Sequence, residues 1–300
     1  MPPERRAWEP DPLFSGQDAC YPKDTMPELP EVETVAADLR PLLIGRRFSA
    51  AHIAWPRTLA EPDPAALTER LRGRQIIDVG RRGKYLLIHL DSGETLIVHL
   101  RMTGHLAVVP DGSPALADAH LRAWFGLAEG ERLVFTDARK FGRIWLVDDL
   151  ARVVGKLGPE PLDWTFTAEV LAGRLQGRRV AIKAALLDQA VVAGVGNIYA
   201  DEALFRAGIH PLRRAAGLTV DEIAALRDAI RQVMAESIDQ RGTLLRDYRT
   251  PYGADGAFQE RLRVYRQTGR PCPRCGAAIE RIRVTQRSTH FCPQCQRLPR

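Results

Sequence analysis

Leu157-Gly158-Pro159-Glu160-Pro161-Leu162 divides the chain into two unlike halves. Glycine and proline at this density break regular structure, so the stretch reads as a linker. Before it lie short β-branched or aromatic runs at 75–79, 84–90, 94–100, 105–109, 121–127, 131–136 and 143–148. Turn signals such as Asp91-Ser92-Gly93 and Pro110-Asp111-Gly112 separate them, and seven short strands predict a sandwich or barrel. After it, helical spacing takes over at 167–175, 180–190, 197–207 and 219–238. Periodicity is lost over 242–260, where Gly242, Gly253 and Gly256 fall, and a short β-like segment carrying four cysteines ends the chain.

Ahead of the strands, 29–45 reads as one amphipathic helix. Pro30 suits its first turn, Glu31 and Glu33 favour its positive end, and Gly45 closes it. Val32, Val35, Ala36, Leu39 and Leu43 share a face. The expected fold class is multidomain α+β. It divides into an extension or mis-assigned start at 1–26, a β-sandwich domain flanked by helices at 27–157, a helical domain at 158–260 and a metal module at 261–300. Residues 1–26 show no periodicity and no apolar core of signal-peptide length.

The 300 residues are 45% hydrophobic, which excludes a wholly disordered chain. No run approaches the ~20 apolar residues of a membrane span, so a transmembrane protein is excluded and no membrane partner is expected. The expected location is cytoplasmic. Charge is unevenly placed. Residues 241–300 carry 13 Arg, no Lys and four acids, leaving the first 240 residues slightly acidic within an overall charge of +6. Tyr248, Tyr252, Phe258, Tyr265 and Phe291 are interleaved with those arginines. A solvated basic face is the plain alternative, but aromatics among arginines suit a phosphate backbone and its bases.

Cys272-x2-Cys275-x16-Cys292-x2-Cys295 is the most specific motif. Four thiolates in two tight pairs make a closed tetrahedral zinc site, so one structural ion is expected rather than a catalytic one. The 16 residues between the pairs would form a hairpin presenting Arg281, Arg283 and Arg287, with Gln286 and Thr289 beside them. Gly194-Val195-Gly196-Asn197 leads into a helix that Asn197 can cap, and Gly208 and Pro211 end it before the next. Helix, turn, helix is a common nucleic-acid scaffold, and a plain capped helix is the alternative. Arg81-Arg82-Gly83-Lys84 enters a strand, and Asp137-Ala138-Arg139-Lys140-Phe141-Gly142 leaves one. Basic residues beside an aromatic suit a phosphate-lined groove with a stacking wedge. Met26-Pro27-Glu28 is unremarkable inside a chain, where a proline nitrogen is a tertiary amide. At a terminus Pro27 would be a secondary amine with pKa ~8, able to form an iminium with a sugar carbon, with Glu28 as neighbouring acid.

Taken together, PELPEVET at 27–34, RRGKYL at 81–86, HLRMTG at 99–104, DARKFG at 137–142, LGPEPL at 157–162, GVGNIYADE at 194–202, RDYRTPYGADGAFQ at 246–259 and the cysteine cluster resemble the formamidopyrimidine-DNA glycosylases. The resemblance runs from residue 26 to the end. It implies an N-terminal β-sandwich, a helical domain with a helix–two-turn–helix unit, and a β-hairpin zinc finger. The implied activity is excision of oxidised purines from duplex DNA, followed by strand cleavage through β,δ-elimination. Pro27 would be the Schiff-base nucleophile once Met26 is removed, Glu28 the proton donor, and Glu31 a supporting group. Lys84 would donate a proton in β-elimination or contact a phosphate, and Arg287 would do the same in δ-elimination. Met102, Arg139 and Phe141 would fill the hole left by the extruded base. Asn197 would grip phosphate, His120 would contact DNA, and 246–259 would cover the flipped base. A monomer acting on double-stranded DNA with oxidised bases or abasic sites is implied.

Two departures stand out. Residues 1–26 would leave Pro27 an amide, so a start at Met26 is expected. Ala138 stands where many members have proline, which alters only a turn. The alternatives are an endonuclease VIII-like glycosylase for oxidised pyrimidines, or a non-catalytic binder of damaged DNA if the extension is retained. The Leu29-Pro30-Glu31-Val32 stretch favours the purine branch.

Overall fold

The computed structural model describes residues 26–243 and 257–298. The extension and most of the 246–259 loop lie outside the described residues. Helix α1 (Leu29–Leu43) begins with Pro30 in its first turn, and the Glu31 carboxylate accepts the Glu28 N–H at 2.9 Å. It ends two residues before the expected stop, at the extended Ile44.

All seven predicted strands are present, and two were not anticipated. One sheet orders β1 (Phe48–Ile53), β7 (Leu121–Leu127), β8 (Glu131–Asp137) and β6 (Gly104–Pro110). The other orders β2 (Leu59–Glu61), β9 (Arg143–Val147), β5 (Thr95–His99), β4 (Tyr85–Leu90) and β3 (Ile76–Arg82). All pairings are antiparallel except β2 with β9. β5 is buried along its whole length because β4 and β9 flank it. Strands β1 and β2 and the short α2 (Pro64–Leu71) escaped the sequence reading. Phe48-Ser-Ala-Ala-His-Ile53 is weak in β-formers, and tertiary pairing with β7 overrides its propensity.

Beyond the linker come α4 (Ala168–Leu175), α5 (Ile182–Leu187), α6 (Asn197–Ala207) and α7 (Val220–Asp239), after a single turn α3 (Ala151–Val154). The expected helix at 180–190 is shorter than its apolar run because Ala181 and Asp188 are extended. Helix α6 stops at Gly208, whose φ of 72° is left-handed, a conformation that costs glycine little. α1 packs against β3, β4 and β6 on one side and α7 on the other, so its N-terminus lies between the two domains. Leu29 is wholly buried there, and its N–H donates to the Gly194 carbonyl at 3.1 Å.

The C-terminal module is a hairpin, β10 (Glu280–Val284) with β11 (Arg287–Phe291), that docks on α6. Its small core is Phe205, Val264, Cys272, Ile279 and Cys292. Polar locks reinforce the docking. Arg274 donates to the Phe205 and Arg206 carbonyls at the α6 C-terminus, both at 2.9 Å, and Gln296 donates to the Ile209 carbonyl at 2.9 Å. The deepest lock is an ion pair. Lys183 of α5 and Asp201 of α6 are both fully buried and 2.6 Å apart. Lys183 also donates to the Ser288 carbonyl and to Thr289 Oγ1, each at 2.9 Å, while Asp201 accepts the His290 N–H at 2.9 Å. Thr289 is therefore not on the basic face of the hairpin, as its neighbours suggested, but in its buried root.

Burial, with a smaller push from the Arg287 charge, lowers the Lys183 ammonium pKa, and Asp201 opposes that shift. Removing one partner leaves the other charge buried without compensation, at a cost of about 3–5 kcal/mol. Asp201→Asn is accordingly expected to lower stability by about that amount in urea unfolding, and Lys183→Met with Asp201→Leu to recover most of it. A single substitution without effect on the unfolding midpoint would refute the ion-pair account.

Candidate active site

The α1 N-terminus, the β3–β4 turn and the α6 N-terminus meet at one place. Pro27 and Glu28 precede α1 and are buried. The Glu28 carboxylate crosses to α6, where Oε1 accepts the Ile198 N–H at 2.9 Å. Asn197 was expected to cap this helix. Instead Gly196 is the cap residue, Asn197 is the first helical residue, and Glu28 supplies the acceptor. A helix N-terminus presents free N–H groups and partial positive charge, so it suits a carboxylate brought from another domain.

Gly196 makes this approach possible. A Cβ built on it would stand 2.3 Å from the Glu28 carboxyl carbon and 2.5 Å from Oε1. Gly196→Ala is expected to displace Glu28 from α6, and overpacking of this kind costs about 1–3 kcal/mol. Thermal melting checks this, and an alanine variant with an unchanged melting temperature would contradict the arrangement.

Glu28 is 3% exposed, and its second oxygen, Oε2, is buried without a hydrogen-bond partner. Burial raises its pKa to about 7, against the lowering pull of Lys84. Lys84, on the β3–β4 turn, is 6% exposed. Burial lowers its pKa while Glu28 and Glu31 raise it, and Arg287 and Arg101 lower it further. Lys84 thus shares one electrostatic neighbourhood with Glu28 and with Arg287 at the start of β11.

Glu31 turns away from this pair and ties the domains together. Its Oε1 accepts from Tyr199 Oη at 2.6 Å, Thr243 N at 2.9 Å and Thr243 Oγ1 at 2.7 Å. Tyr199 Oη also lies 2.6 Å from Ser237 Oγ of α7. Tyr199, Ser237 and Thr243 were not singled out in the sequence, since each resembles an ordinary polar residue until the fold gathers them. Glu202 was missed for the same reason. Its carboxylate accepts the backbone N–H groups of Arg263 at 2.9 Å, Val264 at 2.9 Å and Tyr265 at 2.8 Å. That seats Tyr265 beside α6, with its ring 5.1 Å from that of His290.

A second cluster lies at the ends of β5, β8 and β9. Met102 is half-buried in the turn after β5. Asp137 binds that turn to the next: one oxygen accepts from Thr103 Oγ1 and Arg139 N, and the other accepts from Gly142 N at 2.7 Å. The Arg139 guanidinium sits 5.0 Å from the Phe141 ring, which is half exposed. His99 props the Met102 turn from beneath, its Nδ1 accepting the Arg101 N–H at 3.0 Å. Burial and the nearby Arg101 and Lys84 charges push the His99 pKa down to about 3, so its ring is neutral. His120 is exposed beside the same Asp137 turn, its carbonyl accepting the Asp137 N–H at 2.8 Å.

The four cysteine sulfurs lie within 4.8 Å of one another, with Cys272–Cys295 at 3.9 Å and Cys275–Cys292 at 3.5 Å. A tetrahedral zinc thiolate site with ~2.3 Å bonds has sulfur–sulfur edges of ~3.8 Å, so the donor set and its dimensions fit one zinc ion.

A β-sandwich, a helix–two-turn–helix unit and a four-cysteine hairpin around a buried carboxylate–lysine pair define a zinc-finger class of nucleic-acid-processing proteins. The comparisons place the chain within that class. The formamidopyrimidine-DNA glycosylase N-terminal domain matches residues 26–144, the H2TH domain of the same family 157–248, and the zinc finger found in FPG and IleRS 269–298. The formamidopyrimidine-DNA glycosylase of Chloroflexus aggregans is 54% identical over 256 residues, 83% of this chain and 91% of that protein. That of Herpetosiphon aurantiacus is 53% identical, covering 83% and 92%. The crystal structure of MutM (Fpg) from Thermus thermophilus has a TM-score of 0.81 at 42% identity, covering 90% of this chain and 98% of that one. Lactococcus lactis Fpg in complex with DNA containing Fapy-dG has a TM-score of 0.83 at 35% identity, covering 90% and 100%. The chain belongs to the formamidopyrimidine-DNA glycosylase family.

Proposed function

We propose that this chain is a bifunctional DNA glycosylase and AP lyase that removes oxidised purines from duplex DNA. The observation that carries the reading is Glu28: one carboxylate oxygen anchored on α6, the other buried and unpartnered, and a pKa of about 7. A carboxylic acid held protonated near neutral pH is poised to deliver a proton to a sugar or a departing base. The relatives' names and the DNA complexes of their structures support the substrate class.

In this reading residues 27–157 carry the chemistry, 158–260 hold the backbone, and 261–300 clamp it. The base must leave the stack first, at a cost of a few kcal/mol. Met102, Arg139 and Phe141 fill the gap, which offsets that cost. Asn197 at the α6 N-terminus, Arg287 and His120 contact the DNA, in keeping with phosphate binding at helix starts and by arginine. The Pro27 amine, freed by removal of everything before it, attacks C1′ as the glycosidic bond breaks, and Glu28 supplies the proton. The resulting iminium acidifies C2′–H, so its loss expels the 3′ phosphate. Lys84 and Arg287 donate protons during the eliminations or hold phosphate. Glu31 locks α1 to α6 and α7 and so fixes the entry of Pro27 and Glu28. Zinc, when bound by Cys272, Cys275, Cys292 and Cys295, holds the Arg287 hairpin and takes no part in the chemistry. No helix among the described residues is long and apolar enough to cross a membrane, and a monomer acting in the bacterial cytoplasm, on the nucleoid, completes the proposal.

The test is a duplex panel at equal concentration. Excision of 8-oxoguanine opposite cytosine should exceed excision of thymine glycol. A reversed order would move the chain to pyrimidine lesions, and no excision of either by the form with Pro27 exposed would refute the enzyme reading.

A further inference from the structure

Helix α6 has a second end. Its N-terminus meets Glu28, while Phe205 and Arg206 at the other end form the wall of an open cleft of about 320 Å³. Arg263, Arg274 and Pro273 complete it, with Glu202 at its floor. A second cleft of about 210 Å³ continues from it, sharing Arg263 and Pro273 and adding Arg270.

Four arginines therefore face one continuous groove. Among the described residues Glu202 lines the groove and Glu236 stands beside it, and both carboxylates are already engaged. Glu202 is buried and accepts three backbone N–H groups, and Glu236 is held by Arg206 through contacts of 2.6 and 2.7 Å. Arg274 spends its guanidinium on the Phe205 and Arg206 carbonyls. Arg263 and Arg270 are exposed, and their guanidinium groups have no ion pair among the described residues. No acid lies between Glu260 and Glu280 in the sequence, so the segment carries no local compensation. Two unpaired guanidinium groups in a polar cleft, backed by two fixed ones, suit an extended anion rather than an apolar ligand.

We infer that this groove is a second phosphodiester-binding site, taking undamaged duplex DNA outside the footprint of the lesion. One turn carries both neighbours: Tyr265 is buried against His290 of the hairpin, and Arg263 lines the groove. From Asn197 to Arg206 the helix rises ~13 Å at ~1.5 Å per residue. The groove therefore meets phosphates other than those that Asn197 contacts at the first end of the helix. The ligand is then the flank of the lesion duplex or a second duplex, and the chemistry is the same for both.

The inference rests on the reading as a DNA enzyme, and the test separates the two. Arg263→Ala with Arg270→Ala is compared with wild type and with Arg263→Lys plus Arg270→Lys. Affinity is measured against salt on two lesion duplexes, one confined to the lesion footprint and one extending a full turn beyond it. On the long duplex the alanine pair should lower the slope of log K against log salt by about 2, at ~0.9 per phosphate. The lysine pair should keep it, and excision on the short duplex should not change. In a second arm the short lesion duplex saturates the active site and a labelled undamaged duplex is titrated in. Loss in the first arm assigns the flank, and loss in the second alone assigns a second duplex. Unchanged binding in both arms, or an equal loss on the short duplex, overturns the inference. Failure of the wild type to bind the short lesion duplex would instead refute the DNA-enzyme reading itself.

Discussion

Glu28→Gln is expected to lower base excision by ~10³-fold while leaving binding of an abasic-analogue duplex within a few-fold of wild type. The glutamine is isosteric and can still accept the Ile198 N–H through its carbonyl oxygen, so the α1–α6 junction stays intact. What is lost is the proton. Because the acid must be protonated and the Pro27 amine neutral, the wild-type rate should peak near neutral pH and fall on both sides. Stability gives an independent check. Burial raises the folded pKa of Glu28 to about 7 from 4.5. The folded state therefore binds this proton more tightly than the unfolded one. The associated stability is full below pH 4.5 and is lost as pH rises through about 7. It amounts to at most ~3 kcal/mol, at 1.36 kcal/mol per unit. Glu28→Gln cannot ionise, so its melting temperature should gain on wild type between pH 5 and pH 8, roughly the window that linkage assigns. A constant difference across that range would mean that Glu28 is not held protonated by the fold.

Loss of zinc is expected to lower affinity for lesion duplex at least ~10²-fold without melting the sandwich. Five residue pairs hold β10 to β11, and an isolated two-stranded hairpin is marginal in water. The module's own apolar core is only five buried residues. Its remaining order comes from the thiolate cluster and from docking through Lys183, Asp201, Glu202 and Gln296. Cys292→Ser removes one of four ligands at a wholly buried position. Arg287 then loses its platform, and Tyr265 loses part of its seat. The main core, which runs from Leu29 through Tyr265, shares few groups with the metal module. Proteolysis should therefore nick the C-terminal module in the variant while the cooperative melt of the rest shifts only slightly. A chelated or Cys292→Ser protein that binds lesion duplex at full strength would remove the zinc hairpin from the DNA interface.

Much of this was legible in the sequence where period and punctuation were strong. The α1 stripe, seven strands and the helices at 167–175, 197–207 and 219–238 follow from side-chain spacing bounded by glycine and proline. The cysteine spacing alone specified the metal site. β1 and β2 were not legible because Ser49, Ala50 and Ala51 or a three-residue strand give almost no alternation, and pairing with β7 and β9 decides them. The roles inside α6 were hidden for another reason. That helix is buried on nearly every side, so Asp201 and Glu202 break no amphipathic pattern, and their partners in the C-terminal module lie 60 to 90 residues away. Gly196 could be read as a tight turn, but not as the gap that admits Glu28 to the helix.

The central claim is that Pro27, as a free amine beside Glu28, is the nucleophile. It is tested most directly by borohydride trapping on a duplex with 8-oxoguanine opposite cytosine. Two forms of the chain are used, one starting at Met1 and one at Met26, each with its N-terminus fixed by intact mass. Reduction converts the iminium into a stable protein–DNA bond. The account predicts a trapped species only when the mass shows Pro27 exposed, with peptide mapping placing the adduct on Pro27. A zinc-loaded protein with Pro27 exposed that binds this duplex and yields no adduct, or one whose adduct maps to Lys84, would contradict it.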